Sequence, residues 1–195
     1  NTSLRYGITY VVIPGDLLSA GDYDVTVTYY GDANYTSATG KANFTVRAID
    51  SAVTVNPNNI TYGDVEVVKF NVTDGATGTV NITVTGADGV VETFNDVPIE
   101  NGTVGVNVAD LAAGNYSVNV TYNGDNNFKP SSAVANFSVG MIDSNVVVEV
   151  SNITYGDVEI IKFNVTDGAT GTVNITVTGA DGVTKTFTDV PIENG

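Results

Sequence analysis

The sequence predicts an all-β protein built from antiparallel sheets, and its composition gives the first reason. Its 195 residues include 33 Val and 26 Thr but only 4 Leu. Because branching at Cβ restricts the side chain and suits a pleated backbone, this bias favours strands over helices. The 21 Gly and 22 Asn supply turn residues for many short strands. Hydrophobic residues form 42% of the chain, which is enough for a packed core.

An internal repeat gives the second reason, because it defines a unit of about 93 residues. The segment NITYGD at 59–64 recurs unchanged at 152–157. At this offset, 42 of 52 positions are identical between 51–102 and 144–195. The other half of the unit also repeats, with 17 of 34 positions identical. The chain therefore contains parts of three consecutive copies of one unit.

The repeat divides the chain into three predicted parts: the C-terminal half of one unit at 1–48, a complete unit at 49–141 and the N-terminal half of a third at 142–195. About four residues join consecutive units without a Gly/Ser-rich or Pro-rich run, so we expect stiff junctions. Ile49 and Ile142 recur at these junctions and are expected to plug them. Neither half can bury its core face alone. Each is expected to be completed by a second copy of the chain or by neighbouring residues of a longer polypeptide.

Period-2 alternation in the complete unit predicts its strands in order. Val68, Phe70 and Val72 are expected to face the core, while Lys69 and Asn71 face solvent. Such alternation gives one buried and one wet face, which is typical of antiparallel sheets. A unit of this size predicts an immunoglobulin-like Greek-key β-sandwich, so the chain is expected to be a tandem array of them. The predicted strands are 53–55, 60–62, 65–73, 79–85, 90–94, 97–99, 104–108, 116–122 and 134–139.

A Leu-x-Ala-Gly-x-Tyr segment at 18–23 and again at 111–116 predicts a tyrosine corner in each copy. In this feature of Greek-key sandwiches, a Tyr hydroxyl hydrogen-bonds to nearby backbone. Tyr23 and Tyr116 are the candidates, and the alternative is an ordinary core tyrosine. The expected role is structural in either case.

A longer motif connects the chain to a known family. The run Gly-x-Tyr-x-Val-x-Val-x-Tyr-x-Gly-Asp-x-Asn, ending in Ala-Asn-Phe-x-Val, stands at 21–46 and 114–139. Together with the Ile-Thr-Tyr-Gly-Asp segments, it resembles the bacterial-type Ig-like repeats of large cell-surface proteins, and most of all the adhesin-like proteins of methanogenic archaea. The resemblance implies an extracellular, tandemly repeated stalk anchored to a cell envelope. It supplies no catalytic residues.

Asn-x-Ser/Thr sequons are the clearest functional signal in the sequence. Chance would place about four in a chain with 22 Asn and 36 Ser or Thr. Several lie in the middle of predicted strands, where Asn is normally depleted, with their side chains outward. We interpret them as N-glycosylation sites, with polar outward residues as the alternative. The thirteen acceptors are Asn1, Asn34, Asn43, Asn59, Asn71, Asn81, Asn101, Asn115, Asn119, Asn136, Asn152, Asn164 and Asn174.

Composition excludes several functions. The chain has no His and no Cys, which removes His-dependent nucleophile chemistry, thiol chemistry and zinc sites built on these residues. Seven Lys and Arg against 22 Asp and Glu give a formal net charge of −15, which would repel nucleic acid. No apolar run approaches the roughly 20 residues that span a bilayer. We therefore expect neither nucleic-acid binding nor membrane insertion by this segment.

Four further sites are weaker alternatives. Acidic turns could hold calcium, but none has the spacing of an EF-hand, so we expect no cofactor and keep calcium only as the alternative. A Lys69 or Lys162 isopeptide bond would need a buried lysine, and parity points Lys69 outward. Paired carboxylates for glycosidase chemistry are not expected, because the acidic residues are assigned to turns and outward positions. An aromatic patch at Tyr29, Tyr30 and Tyr35 could stack on a sugar, but the complete unit does not retain it.

We therefore expect a non-enzymatic structural stalk on a cell surface. Its partners are expected to be neighbouring Ig-like repeats, or further copies of itself in a fibre. The alternative is a module that binds cell-wall or host glycans through its loops.

Overall fold

The computed structural model describes residues 9–87, 89, 91–99 and 103–195. They form fourteen β-strands and one short 3-10 helix, and no α-helix occurs among them. The chain divides into two compact units, Asn1–Met141 and Ile142–Gly195. The boundary between the units coincides with the start of the third predicted copy.

The first unit begins with part of one repeat. A 3-10 helix at Gly15–Leu17 is followed by strands β1 (Gly21–Tyr29) and β2 (Ala38–Val46). The two strands pair antiparallel in unbroken register, from Gly21 opposite Val46 to Tyr29 opposite Ala38. They form a two-stranded sheet.

The central repeat, residues 49–141, follows in the same unit and is a complete two-sheet sandwich. One sheet has five strands in the order β4-β10-β9-β6-β7, and the other has three in the order β3-β5-β8. All neighbours are antiparallel except β4, which runs parallel to β10. This arrangement confirms the predicted all-β, immunoglobulin-like fold class. The strands are β3 (Val53–Asn56), β4 (Ile60–Thr61), β5 (Glu66–Val72), β6 (Thr79–Gly86), β7 (Val91–Pro98), β8 (Thr103–Val108), β9 (Gly114–Tyr122) and β10 (Ser131–Gly140).

The core lies between these two sheets and follows the alternation read from the sequence. On β5, Val68, Phe70 and Val72 are buried, whereas Lys69 and Asn71 are exposed. On β6 and β9, the valines at 80, 84, 118 and 120 are all buried. Each fully buried valine stabilises the fold by about 1.5–3 kcal/mol relative to an exposed one. The central repeat therefore has its own hydrophobic core.

Two details of the central repeat correct the sequence-based predictions. Segments 90–94 and 97–99 were expected as separate strands, but β7 is one strand, Val91–Pro98. It contains an irregularity opposite β6, where the register shifts between Val80 and Ile82 and Asp96 takes a φ of 52°. A bulge of this kind turns a strand without ending it. The sequence also predicts hairpin turns at 87–89 and 101–102, which fall partly or wholly outside the described residues.

The second correction concerns acidic side chains, which were all expected in turns or outward positions. Glu66 instead points into the core and is only 2% exposed. Its Oε1 accepts a hydrogen bond from the main-chain N–H of Asn58 at 2.8 Å. Burying a carboxylate without a hydrogen-bond partner costs free energy, and this bond reduces that cost.

The second unit contains strands equivalent to the first half of the central repeat. They form two two-stranded sheets, with β11 paired to β12 and β13 paired to β14. Residues 153–154 correspond to β4 but form no strand. The strands are β11 (Val146–Glu149), β12 (Lys162–Val165), β13 (Gly171–Thr178) and β14 (Thr184–Ile192).

Candidate functional site

Four sequon asparagines lie on the outer side of the five-stranded sheet, which we call the acceptor face. Asn81 is on β6, Asn115 and Asn119 are on β9, and Asn136 is on β10. They face outward because each alternates with core residues along its strand. Asn115, Asn119 and Asn136 are exposed, whereas Asn81 is half-buried. The fold thus collects onto one surface acceptors that are dispersed in the sequence.

A fifth acceptor lies at the edge of this sheet. Asn59 precedes β4 and, with Asn115 and Asn136, lines a shallow open depression of about 610 Å³. Its Oδ1 accepts a hydrogen bond from the main-chain N–H of Ser138 at 2.8 Å. This bond uses only the side-chain oxygen of the exposed Asn59 and leaves its amide nitrogen, where a glycan would attach, out of that bond.

Asn81 has a structural role that sequence reasoning missed. Its Oδ1 accepts the main-chain N–H of Asp96 at 2.9 Å, and its Nδ2 donates to Asn123 Oδ1 at 3.2 Å. Asn174, one period later, accepts the N–H of Asp189 at 3.0 Å in the same way. In both copies the Asn therefore holds the bulge of the neighbouring strand. The recurrence of these two asparagines has a structural cause that is independent of glycosylation.

The remaining described acceptors are dispersed. Asn71 is exposed on the outer side of the three-stranded sheet. Asn1 and Asn101 lie outside the described residues. The other exposed acceptors are Asn34, Asn43, Asn152, Asn164 and Asn174.

Each tyrosine-corner candidate makes the bond that defines this feature. The Tyr116 hydroxyl donates to the main-chain oxygen of Ala112 at 2.9 Å, and the Tyr23 hydroxyl donates to that of Ser19 at 2.7 Å. Each ring also stacks on a phenylalanine of the next strand. The centroid distances are 5.3 Å for Tyr116 and Phe137, and 5.4 Å for the corresponding pair in the first copy.

The loop between β9 and β10 is organised by Asp125, another residue that sequence reasoning left as an ordinary turn. Gly124 precedes it with a φ of 84°, and an added Cβ would lie 3.0 Å from Pro130 Cδ. The Asp125 Oδ2 accepts both the main-chain N–H and the hydroxyl of Thr77, each at 2.8 Å. Its Oδ1 accepts the N–H groups of Asn127 and Phe128, each at 2.7 Å.

These bonds set the ionisation of Asp125 and of nearby Tyr122. Partial burial works to raise the pKa of Asp125, but the hydrogen bonds from Thr77, Asn127 and Phe128 together hold it well below its usual range. Burial, and then the negative charge of Asp125, raise the pKa of Tyr122 to about 12. The Tyr122 hydroxyl donates to the main-chain oxygen of Thr77 at 2.8 Å. The ionised Asp125 carboxylate and the neutral Tyr122 hydroxyl therefore both bind Thr77, which lies just before β6.

We expect the stability of the central repeat to depend on Asp125 at acidic pH. Because the pKa of Asp125 is lower in the folded than in the unfolded chain, its ionised form stabilises the fold above the unfolded pKa of about 4. This contribution is lost as the pH falls through the folded pKa. Asp125→Asn should lower the free energy of unfolding by about 1–2 kcal/mol at neutral pH and flatten its decline below about pH 4.

Urea unfolding at a series of pH values measures this effect. Asp32→Asn, at the equivalent loop of the incomplete first copy, is the matched control and should leave unfolding of the central repeat unchanged. Equal pH profiles for wild type and Asp125→Asn would contradict the assignment.

The same β9–β10 loop forms the junction with the preceding copy. The N–H of Ile49 donates to the main-chain oxygen of Asn127 at 2.7 Å, and the N–H of Lys129 donates to the oxygen of Ile49 at 2.9 Å. The side-chain Oδ1 of Asn127 accepts the N–H of Ala20 at 3.0 Å. Lys129 Nζ pairs with Asp50 Oδ1 at 2.7 Å. Asn127 therefore binds both the connection between the copies and the copy that precedes it.

The expected role of Ile49 needs correction. Its side chain is 58% exposed, so it does not plug the junction. It contributes instead through its main chain, which pairs in parallel with Phe128 as an isolated β-bridge. Ile142, the equivalent residue, begins the second unit and is 53% exposed.

The other candidate sites find little support in the described ranges. Lys69 is exposed on β5, where no isopeptide bond is expected. No group of three or more Asp or Glu among the described residues could hold a metal ion. Tyr30 and Tyr35 are 88% and 70% exposed, but Asn123 and Phe128 stand in their places in the central repeat. Across the described part of the chain, no helix is long and apolar enough to cross a membrane.

The chain is similar to a protein of known structure and to a known family model. No curated protein matches the chain. A crystal structure described as a tetra-tandem repeat in the extending region of a large adhesion protein is similar, with a TM-score of 0.47 and 22% sequence identity. The match covers 90% of this chain and 48% of that one, so the chain spans about half its length. Residues 53–140, which contain strands β3 to β10, match the model of the bacterial Ig-like domain, group 3.

Proposed function

We propose that this chain is a segment of the stalk of a large, adhesin-like cell-surface protein. The stalk is a non-enzymatic rod of Ig-like repeats that supports a distal binding region or packs into an extracellular filament. The match of 53–140 to a bacterial Ig-like domain and the tandem repetition of the unit support this role. The acidic surface, with a formal net charge of −15, would keep such repeats soluble at high local concentration.

The junction at Ile49 is the observation that carries the proposal. Ile49 donates one main-chain hydrogen bond to the β9–β10 loop and accepts another from it. The N–H of Ala20 donates to the side chain of Asn127, so the loop is tied to the connection and to the preceding copy. A linker that served only as a flexible tether would make no such bonds. Joined in this way, successive repeats would keep a fixed orientation relative to one another, as a stalk requires.

Small-angle scattering on tandem arrays tests the stalk. We expect the maximum dimension to increase by roughly 40 Å with each added repeat, from strands of about ten residues plus loops. A matched array with a Gly/Ser insertion between Arg47 and Ala48 should be shorter and bend freely. An unmodified array as compact as this control would contradict the proposal.

Localisation needs a separate measurement, because a rod could serve elsewhere. Antibodies against the repeat should label intact cells of the source organism, with a cytoplasmic protein as the negative control. Labelling only after permeabilisation would refute surface display. Binding of the isolated array to a glycan panel would instead favour the alternative of a glycan-binding module.

We also propose that the acceptor face carries N-glycans. Asn115, Asn119 and Asn136 are exposed on one sheet, away from the core and from the junction at Ile49. Glycans there would cover a surface rich in β-forming residues and would hinder edge pairing between near-identical neighbours.

Mass spectrometry of glycopeptides from the native protein measures occupancy at each sequon. We expect glycans on some of Asn115, Asn119 and Asn136, and lower occupancy at Asn81, because the Asn81 Nδ2 donates to Asn123. Asn81 thus serves as an internal control on the same sheet. Unmodified Asn at every sequon would refute the glycan proposal without affecting the stalk.

A further inference from the structure

The sequons of the acceptor face lie inside paired strands. β6 and β9 are inner strands of the five-stranded sheet, and β10 is paired with β9 along its length and with β4 at its end. Each acceptor amide on these strands stands opposite a serine or threonine of a second sequon on the neighbouring strand. The opposed pairs are Asn81 and Thr121, Asn119 and Thr83, Asn115 and Ser138, and Asn136 and Ser117. Each of these sequons can therefore leave the sheet only if neighbouring strands separate.

The middle residue of each of these sequons is part of the core. Ile82 and Val120 are fully buried, and Phe137 and Tyr116 are 3% and 7% exposed. All four belong to the cluster of buried side chains between the two sheets. Lifting one of these sequons out of the sheet would pull a core side chain into water. Because burial of that side chain stabilises the fold, this movement requires the sandwich to open.

Attachment of an N-glycan is a group transfer that needs access to the whole sequon. The Asn Nδ2 atom attacks the anomeric carbon of an oligosaccharide carried on a lipid phosphate. The N–C bond forms, the C–O bond to the phosphate breaks, the phosphate leaves with the electron pair, and Nδ2 gives up one proton. The transferase has to bind the Asn and the hydroxyl residue two positions later at once, since both define the sequon. In a paired strand it can reach this tripeptide from the outer side only.

We propose that N-glycans are transferred to the acceptor face while the chain is unfolded, before the sandwich closes. This inference rests on the proposal that the acceptor face carries N-glycans, and it adds the order of the two events. In the folded repeat, Asn115, Asn119 and Asn136 are exposed but are not substrates of the transferase. Glycosylation of this face then depends on how long the chain remains unfolded, and not on the exposure of its asparagines.

The order of the strands along the chain provides time for the transfer. The side chain of Asn81 on β6 bonds to Asn123, which follows it by 42 residues and lies just after β9. A ribosome that adds about 5–20 residues per second needs roughly 2–8 s for this length. β6 is therefore without β9 for that time. Folding itself then takes roughly milliseconds to seconds, because the sandwich depends on pairing between distant strands.

Transfer before folding also gives a cause for the lower occupancy predicted at Asn81. A glycan on the Asn81 Nδ2 would have to fit beside Asn123 when β6 meets β9. Chains modified at Asn81 should therefore close the sandwich less readily, and fewer of them should reach the folded state.

Asn34 provides a contrast within the same chain. It is exposed in the loop between β1 and β2, and Tyr35, the middle residue of its sequon, is 70% exposed. An enzyme can enclose this tripeptide without separating paired strands. Asn34 should therefore accept a glycan in the folded chain, whereas the acceptor face should accept one only in the unfolded chain.

Transfer in vitro tests the order of events. The unglycosylated full chain is incubated with a purified oligosaccharyltransferase and its lipid-linked sugar donor, and mass spectrometry follows each sequon. Short synthetic peptides centred on the same sequons are the unfolded reference, since an isolated strand has no partner. Asn115, Asn119 and Asn136 should each react roughly a thousandfold or more slowly in the folded chain than in their peptides, because open molecules are rare. Asn34 should react at a similar rate in both.

Val68→Ala provides a second test, because it weakens the sandwich without changing a sequon. Val68 is fully buried on β5, whereas Val67 beside it is 38% exposed. Val68→Ala should speed transfer to the three exposed asparagines of the acceptor face together by roughly tenfold or more, since the open fraction rises as stability falls. Val67→Ala is the matched control and should leave these rates unchanged.

Equal rates at the acceptor face for the folded chain and the peptides would overturn the proposal, and so would rates that Val68→Ala leaves unchanged. Peptides that the transferase does not modify would overturn it as well. The proposal that this face carries glycans would survive the first two results, because it depends on the occupancy of the sequons in the native protein.

Discussion

Replacing Phe137 with Ala is expected to lower the free energy of unfolding of the central repeat by about 3–5 kcal/mol. Phe137 is 3% exposed and stacks on Tyr116, the residue of the tyrosine corner. The substitution removes a buried ring and leaves a cavity that the surrounding sheet can only partly fill. For a domain whose total stability is of the order of 5–15 kcal/mol, this loss is large. Urea unfolding followed by circular dichroism measures it.

Phe44→Ala provides a control with the same local contact. Phe44 also stacks on a corner tyrosine, Tyr23, but is 39% exposed. Because Phe44 belongs to the incomplete first copy, this substitution should leave the unfolding transition of the central repeat almost unchanged. Similar losses for the two variants would show that the aromatic pair, and not burial in the complete sandwich, determines the effect.

Glu66→Ala is expected to destabilise the central repeat by about 3 kcal/mol, from the lost packing and from the unpaired N–H of Asn58. Glu66→Gln should cost less, because the amide oxygen of Gln can still accept that hydrogen bond. The difference between the two variants measures the contribution of the bond. Thermal and urea unfolding of each variant provide the numbers.

Glu159→Ala is the matched control for Glu66. Glu159 accepts the N–H of Ser151 at 2.7 Å, as Glu66 accepts that of Asn58, but its side chain is only half-buried. The same substitution should therefore have a small effect on unfolding in dilute solution. An unchanged free energy of unfolding for Glu66→Ala would contradict the prediction, because it would show that neither the packing of Glu66 nor its hydrogen bond stabilises the sandwich.

Alternation along the sequence was sufficient to predict most of the sandwich. The prediction that Val68, Phe70 and Val72 point inward is confirmed. In a strand with one face in solvent, apolar and polar residues alternate, so the sequence shows which side chains face the core. Glu66 has the same parity as these three residues, so the pattern already placed it inward. The expectation that every acidic residue lies in a turn or an outward position was therefore wrong for Glu66.

Features that depend on contacts between distant strands could not be read in this way. The bulge at Asp96 requires Asn81, fifteen residues earlier, and the loop at Asp125 requires Thr77 on another strand. Nothing in either segment alone specifies the partner. The sequence also could not show that Asn81 is occupied by hydrogen bonds while Asn119, with the same sequon pattern, is exposed. Asparagines in the same sequon pattern therefore differ in exposure and hydrogen bonding for reasons of packing.

The parallel contact between β4 and β10 determines how a stretched repeat would resist tension. Ile60 lies opposite Val139 and Thr61 opposite Gly140, at the end of the sandwich where the chain leaves it. Tension along the chain would pull these strands past each other lengthwise, so the bonds of the patch would bear the load together and not one after another. The Tyr62 N–H to Gly140 oxygen bond, at 2.8 Å, belongs to the same patch. Forced unfolding is governed by the unfolding rate. Because these bonds would have to break together, we expect the repeat to unfold slowly under force. Tyr62→Pro would remove the donor of this bond and should weaken the repeat under load.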